Sequence, residues 1–444
     1  MPPPTLFSPS HLTALSARLL LALDNLVSAI DKAAVRQDGI VAHSLLQPCA
    51  RLSAHYGANV LLKREDLQEV RSFKIRGAYN LISSLPADSL AHGVACASAG
   101  NHAQGVAWAC AHLGIKATIF MPEATPNQKV ERVRHFGNSS VTVILQGDSY
   151  DDAQQAALEH CASTGATLVH PFDDLRTIIG QGTIGKEIYD DLGGEHADSL
   201  TEPFAFLVAP VGGGGLISGI ASYLKPMMPA LQVVGAEPQG SPSMHASLRA
   251  GHVVTLDHID TFIDGAAVKR VGDLTFEICS SLLDSVQVIP EGAVCTAMID
   301  LYQNEGIIAE PAGALSVAAL DSIKDKISGK TVVCILSGGN NDILRYPEIM
   351  ERSLIHQGRK HYFLISFAQK PGQLRAFVDS ALGPTDDIVR FEYLKKTNKE
   401  RGAALVGIEL ASAADLLPLL TRMNQIGLDY SRLDSSEPLY DYLI

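Results

Sequence analysis

The chain has 444 residues, 46% of them hydrophobic, and a formal net charge of −13, which is length enough for two or three domains with separate cores. It contains no apolar run of about 18 residues, so no membrane-spanning helix is expected, and its acidity argues against nucleic acid and anionic membranes as partners. Seven cysteines, at positions 49, 96, 110, 161, 279, 295 and 334, show no metal-ligand spacing and an odd count, and read as reduced core thiols of a cytoplasmic protein.

Residues 1–40 read as an N-terminal helical extension. After Met-Pro-Pro-Pro, a helical pattern runs from about Ser10 to about Val35, with Ser8 or Ser10 available as N-cap. Leu19 to Leu23 faintly resembles a signal-peptide core, but Asp24 interrupts it, so a packed helix is the preferred reading. From Ile40 onward, short apolar strands alternate with helical stretches: Val60 to Leu62, Val94 to Ala97, Ala117 to Phe120, Val141 to Leu145, Thr167 to Val169, Phe204 to Ala209, Val233 to Gly235 and Val332 to Leu336. Such alternation predicts an α/β fold with largely parallel sheets, two in number, whose ligands sit at the carboxyl ends of strands.

Five stretches at such places carry chemistry. Past Val60-Leu61-Leu62 and a charged loop, a helix is expected from Ser72, with Lys74 between Phe73 and Ile75 and with Arg71 and Arg76 nearby. Apolar neighbours and like charges both disfavour an ammonium ion, so Lys74 reads as a neutral amine able to condense with a carbonyl; the alternative is a solvated basic face. Ser98-Ala99-Gly100-Asn101-His102 follows a strand and precedes a helix expected from Ala103. Its small residues let backbone N–H groups approach a carboxylate, or it is simply a capped turn. Gly212-Gly213-Gly214-Gly215 separates a buried strand from a helix over Leu216 to Leu224. Without a following Lys-Ser/Thr or dinucleotide spacing, it suits a small phosphate monoester. Ser337 leaves the strand Val332 to Leu336, and Glu310-Pro311-Ala312-Gly313-Ala314 puts one carboxylate before an alanine-rich helix.

Together these stretches resemble the fold-type II pyridoxal-phosphate enzymes, whose architecture is like that of the tryptophan synthase β subunit, and the threonine dehydratases among them. Ser-Phe-Lys-Ile-Arg-Gly-Ala, the tetraglycine and the Ser98 loop follow in the family's order from about Val41 to Tyr346, and Lys-Arg-Glu-Asp-Leu-Gln at 63–68 is similar to the dehydratases' own segment. The resemblance implies a catalytic domain over 41–346, with Lys74 as the catalytic lysine carrying pyridoxal 5'-phosphate. It implies cofactor contacts from Phe73, Lys74, Asn101, Gly212, Gly213, Gly214, Gly215, Leu216 and Ser337, and substrate contacts from Ser98, Ala99, Gly100, Asn101 and His102. The implied reaction is β-elimination of L-threonine, with L-serine secondary, to 2-oxobutanoate and ammonia; a serine racemase, a catabolic serine/threonine dehydratase or a catalytically silent amino-acid-binding regulator are the rivals. Ser44-Leu45-Leu46 replaces the family's Thr-Pro-Leu, and Ser243 stands where serine-racemase-like members carry an acid beyond Glu237. No metal is therefore expected, although a monovalent ion stays open.

After a polar connector, residues 347–360, the pattern changes to strands over His361 to Phe367, Ile388 to Lys395, Ala404 to Leu410 and Leu428 to Arg432. Helices are expected from Lys370 to about Leu382 and from Ala413 to Ile426. This βαββαβ order predicts a ferredoxin-like α+β domain over 361–444. Lys370-Pro371-Gly372-Gln373-Leu374 resembles the ACT-like regulatory domain of biosynthetic threonine dehydratases, present here once. That implies isoleucine, and valine as antagonist, for effectors and a homotetramer for the assembly; a dimerisation module that binds nothing is the alternative.

Overall fold

The computed structural model describes residues 17–194, 203–393, 399–434 and 443, with the backbone alone for 17–24. The onset expected at Ser10 and the strand end expected at Lys395 lie outside the described residues. The chain forms two compact units, 1–290 with 306–341 and 291–305 with 342–444.

The first unit holds two sheets built from β1 (Leu46–Pro48), β2 (Asn59–Arg64), β3 (Val94–Ala97), β4 (Ala117–Met121), β5 (Val141–Leu145), β6 (Thr167–Leu168), β7 (Phe204–Pro210), β8 (Gln232–Pro238), β9 (Ser285–Ile289) and β10 (Thr331–Leu336). The larger sheet runs β1-β2-β10-β7-β8-β9 and the smaller β5-β4-β3-β6. All neighbours are parallel except β1, which pairs antiparallel to β2. β10, Thr-Val-Val-Cys-Ile-Leu, is buried at every position, as an unbroken apolar run in a sheet covered on both faces should be.

Helix starts differ slightly from expectation. The helix foreseen from Ser72 spans Lys74–Ser83, because Ser72 bridges to Gly338 and the Phe73 amide bonds Ser337 O at 3.1 Å. The helix foreseen from Ala103 begins at Asn101 and runs to Leu113. The N-terminal helix, Ala17–Gln37, buries Ile30 and Ala33 in the core of the larger sheet. Its last turn reaches further: Gln37 Nε2 donates to Arg76 O (3.0 Å) and Gly180 O (3.2 Å), and Arg36 grips Asn80 Oδ1. Helix Leu175–Asp191 crosses Lys74–Ser83 through Gly77 and Gly180; a Cβ on Gly77 would meet Thr177 and Gln181 within 2.9 Å. Only glycine permits that approach.

In the second unit, β11 (Lys360–Ala368), β12 (Asp387–Tyr393), β13 (Arg401–Glu409) and β14 (Asp429–Arg432) form an antiparallel sheet ordered β12-β13-β11-β14. Helices Gln373–Ala381 and Leu416–Gln425 complete the expected βαββαβ order, with Phe363, Ile365, Phe367, Phe377, Leu419 and Met423 in one core. The polar stretch read as a connector is different: Tyr346–His356 is helical, with Pro347 in its first turn. It pairs with helix Glu291–Glu305, where Gly292 lies under His356 and Thr296 Oγ1 meets Ser353 Oγ at 3.0 Å. Glu348–Arg352 spacing along one face accounts for its polarity.

Candidate active site

Strand order brings the site together. β2, β10 and β7 are neighbours, and their carboxyl ends lead into the Lys74 segment, Ser337 and the glycine loop respectively. Phe73, Lys74, Gly212, Gly213, Gly214, Gly215, Leu216 and Ser337 accordingly line one pocket, with Phe172, Pro210, Gly265, Ala266 and Ala312. The glycines form a cradle that side chains would fill. A Cβ on Gly213 would overlap the Phe172 ring, and one on Gly214 would lie 2.8 Å from Met244 Cε; Gly214 also has φ +94°. The helix Gly215–Met227 begins there, and the N–H groups of its first turn have no intrahelical acceptors. A phosphate monoester fits this cradle, with its charge on the helix N-terminus.

Lys74 Nζ donates to Pro171 O at 3.0 Å and stands 5.0 Å from the centre of the Phe73 ring. Burial lowers its pKa from 10.5 to about 8, against the opposing charge of Glu310. An amine beside a phosphate cradle is the pairing that an aldehyde-bearing phosphate ester such as pyridoxal phosphate requires. Ser337 is buried, its Oγ donating to Ala312 O at 3.3 Å. Burial pushes Glu310 up to about 7 despite the hydrogen bond from Asn101.

The remaining predicted residues come from β3 of the smaller sheet and do not line that pocket. Ser98, Ala99 and Gly100 are half-buried, and the Gly100 amide bonds Ser98 Oγ at 3.2 Å. Asn101 Nδ2 donates to Glu310 Oε1 and its Oδ1 accepts from Asn340 Nδ2, both at 2.7 Å. His102 points elsewhere: its Nε2 meets Val169 O at 2.7 Å, and burial lowers its pKa to about 3. It fixes the β3–β6 junction as a neutral ring.

Residues to which the sequence gave no part in the site, or named only in passing, complete it. The segment His170–Asp173, after β6, supplies the Pro171 carbonyl and the Phe172 ring. His170 Nδ1 accepts from Asp173 N at 2.8 Å, and Asp173 accepts from the amides of Asp273, Leu274 and Thr275. Beneath Lys74, Arg76 is 1% exposed and binds Glu65 and Glu187, while Lys63 binds Glu187 and Asp191. Burial alone would lower the Arg76 pKa; the two carboxylates override it. Glu237, raised to about 8 by burial, accepts from Met244 N and His245 N at 2.7 Å each and so caps the helix Ser243–Ala250. Among the described residues, no group of three His, Cys, Asp or Glu side chains is placed to hold a metal, and no helix is long and apolar enough to cross a membrane. In the second unit, a cavity of about 170 Å³ is lined by Phe367, Lys370, Gly372, Leu374, Phe391 and Tyr393, among others.

Residues 40–338 match the family "Pyridoxal-phosphate dependent enzyme", and residues 351–443 match "C-terminal regulatory domain of Threonine dehydratase". The chain is 52% identical to the L-threonine dehydratase biosynthetic IlvA of Bacillus subtilis, over 94% of this chain and 97% of that one. It is 55% identical to the protein of the same name from Mycobacterium tuberculosis, over 94% and 95%. Similar solved structures include the processed form of threonine deaminase isoform 2 from Solanum lycopersicum (TM-score 0.69, 39% identity, 75% of this chain and 88% of that one). Maize serine racemase is another (TM-score 0.67, 32% identity, 74% and 98%).

Proposed function

Since the chain belongs to the threonine dehydratases, pyridoxal-phosphate-dependent lyases with a C-terminal regulatory domain, we propose a division of labour among its residues in the conversion of L-threonine to 2-oxobutanoate and ammonia. The observation that carries it is the convergence of Lys74, the glycine cradle and Ser337 on one pocket at the ends of three adjacent strands. This is the first step of isoleucine biosynthesis.

Gly212 to Gly215 and the Leu216 amide would hold the cofactor phosphate, with Phe73 in the wall of the same pocket. Bound there, pyridoxal phosphate supplies an electron sink for the charge left at Cα. Lys74 would carry the cofactor, and its freed amine would be the base that takes the Cα proton; a pKa near 8 leaves part of the amine free at neutral pH. Ser98 to Asn101 receive the substrate carboxylate on backbone N–H groups. Asn101, fixed by Glu310 and Asn340, would be the residue to meet the cofactor's 3-hydroxyl. Ser337 would offer the ring nitrogen a neutral hydroxyl, which could not keep a proton there as a carboxylate would. Such a partner would leave the sink moderate and favour loss of the β-hydroxyl over transamination.

The second unit binds the effector, isoleucine, with valine as antagonist. The cavity beside Lys370, walled by Phe367, Leu374, Phe391 and Tyr393, suits an apolar amino acid. The enzyme works as a homotetramer in the cytoplasm. Borohydride reduction of the holoenzyme and peptide mapping should place the pyridoxyl group on Lys74, and L-threonine should yield 2-oxobutanoate faster than L-serine yields pyruvate. An adduct on another lysine defeats the assignment.

A further inference from the structure

Gln181 stands where three parts of the site meet, yet the chemistry above gives it no task. Its side chain is 1% exposed. It is wedged between two glycines: Nε2 is 2.9 Å from where a Cβ on Gly77 would stand, and Oε1 is 2.8 Å from where one on Gly215 would stand. Gly77 lies on the helix that Lys74 opens, and Gly215 opens the helix behind the phosphate cradle. Nε2 donates to Pro171 O at 3.4 Å, the carbonyl that also accepts from Lys74 Nζ at 3.0 Å. Oε1, in contrast, has no hydrogen-bond partner.

A wedge between helices needs volume and not an amide, and a buried carbonyl oxygen without a donor costs about 1–3 kcal/mol. A methionine would fill the same space without that cost. The amide is oriented by Pro171: turned over, it would set two carbonyl oxygens against each other. Pro171 belongs to an irregular segment and has no N–H of its own with which to anchor its peptide. Its neighbours are tied down, His170 O by Thr177 Oγ1 at 3.0 Å and Asp173 by the helix at Asp273. The Pro171 carbonyl has Lys74 and Gln181 as its donors.

We propose that Gln181 is a positioning residue, which keeps the Pro171 carbonyl aimed at Lys74 Nζ so that the amine meets a fixed acceptor each time substrate displaces it. While Lys74 is joined to the cofactor its amine is not free to hold that carbonyl, and Gln181 holds it alone. This rests on Lys74 being the cofactor lysine.

Two variants test it in the full-length holoenzyme. Gln181→Met keeps the volume and removes the donor. Gln181→Glu keeps an acceptor, loses the donor while ionised, and regains one when its carboxyl is protonated. In Gln181→Met, kcat should fall by about ten- to a hundredfold, the range for a displaced catalytic group, with KM for threonine within about twofold. Displacement of Lys74 from the bound cofactor by methoxyamine, followed by visible absorption without turnover, should slow in parallel. Gln181→Glu should be as slow at pH 8 and recover toward the wild type as the pH is lowered to about 6, which a space-filling role would not produce. Wild-type kcat and displacement rates in Gln181→Met, or a Gln181→Glu defect equal at both pH values, overturn the inference. Borohydride mapping separates the premises: an adduct away from Lys74 defeats the reading of the site as well, whereas an adduct on Lys74 with unchanged rates defeats the role of Gln181 alone.

Discussion

Lys74 and Glu310 are each shifted toward neutrality by burial, and the charge of Glu310 opposes that shift at Lys74. Glu310 holds the Lys74 pKa up, so Glu310→Gln should lower it below about 8. Because the free amine is the active form, kcat rises with pH through the lysine pKa, and the acid limb of the kcat profile should move to lower pH; a limb that stays put or moves upward contradicts the coupling. Ser337→Asp should place a carboxylate where a ring nitrogen is expected, keep it protonated and slow elimination by tenfold or more, on the order of one pKa-sized perturbation of 1.4 kcal/mol. Unchanged rate and visible spectrum would show that this hydroxyl does not face the ring. Of the residues that line the pocket, Lys74 and the four glycines stood out in the sequence because a lysine among apolar and basic neighbours and a run of glycines exceed what a bare strand-to-helix turn needs, whereas Ser337 by itself read as an ordinary strand exit and drew attention only through the family resemblance. Pro171 drew none, since its contribution is a backbone carbonyl, which no side chain announces. Gln181 was hidden for another reason: within a helix, one glutamine between glycines looks like surface. The sequence could not say how His102 uses its ring, which serves a backbone carbonyl.

Among elements, the alternation of strands and helices was readable from Ile40 to Leu336 because buried parallel strands leave unbroken apolar runs such as β10. Helix Tyr346–His356 was missed because its ion-paired face gives it the composition of a loop. The extension helix Ala17–Gln37 was readable as a helix, but its purpose was not. Gln37 is 3% exposed and accepts from Thr183 Oγ1 at 3.0 Å besides donating to Arg76 O and Gly180 O. It thereby fastens the helix of Lys74 to Leu175–Asp191. Gln37→Leu removes all three of these bonds, and should destabilise the holoenzyme by about 1–3 kcal/mol, read from urea midpoints. An unchanged midpoint would mean that the crossing at Gly77 and Gly180 holds without this staple.

At the scale of the whole molecule, the catalytic pattern is followed by a stretch that matches a regulatory domain, and the contribution proposed for it is a coupling free energy, typically about 1–3 kcal/mol. A chain ended after Gln357 keeps both helices of the pair Glu291–Glu305 and Tyr346–His356. It should retain cofactor and dehydratase activity and lose its response to isoleucine. Inhibition of that shortened protein as strong as in the full chain would place the effector site in the catalytic part. The same helix pair has a consequence for synthesis. Glu291–Glu305 belongs to the unit that is otherwise made of residues 342–444, so the chain crosses between units three times. On the ribosome its partner helix emerges about forty residues later, a delay on the order of a few seconds at ordinary elongation rates. Through that interval Glu291–Glu305, whose Gly292 and Thr296 meet His356 and Ser353 in the finished fold, waits without its partner helix. The nascent chain then offers an unpaired helix to chaperones at this point in translation.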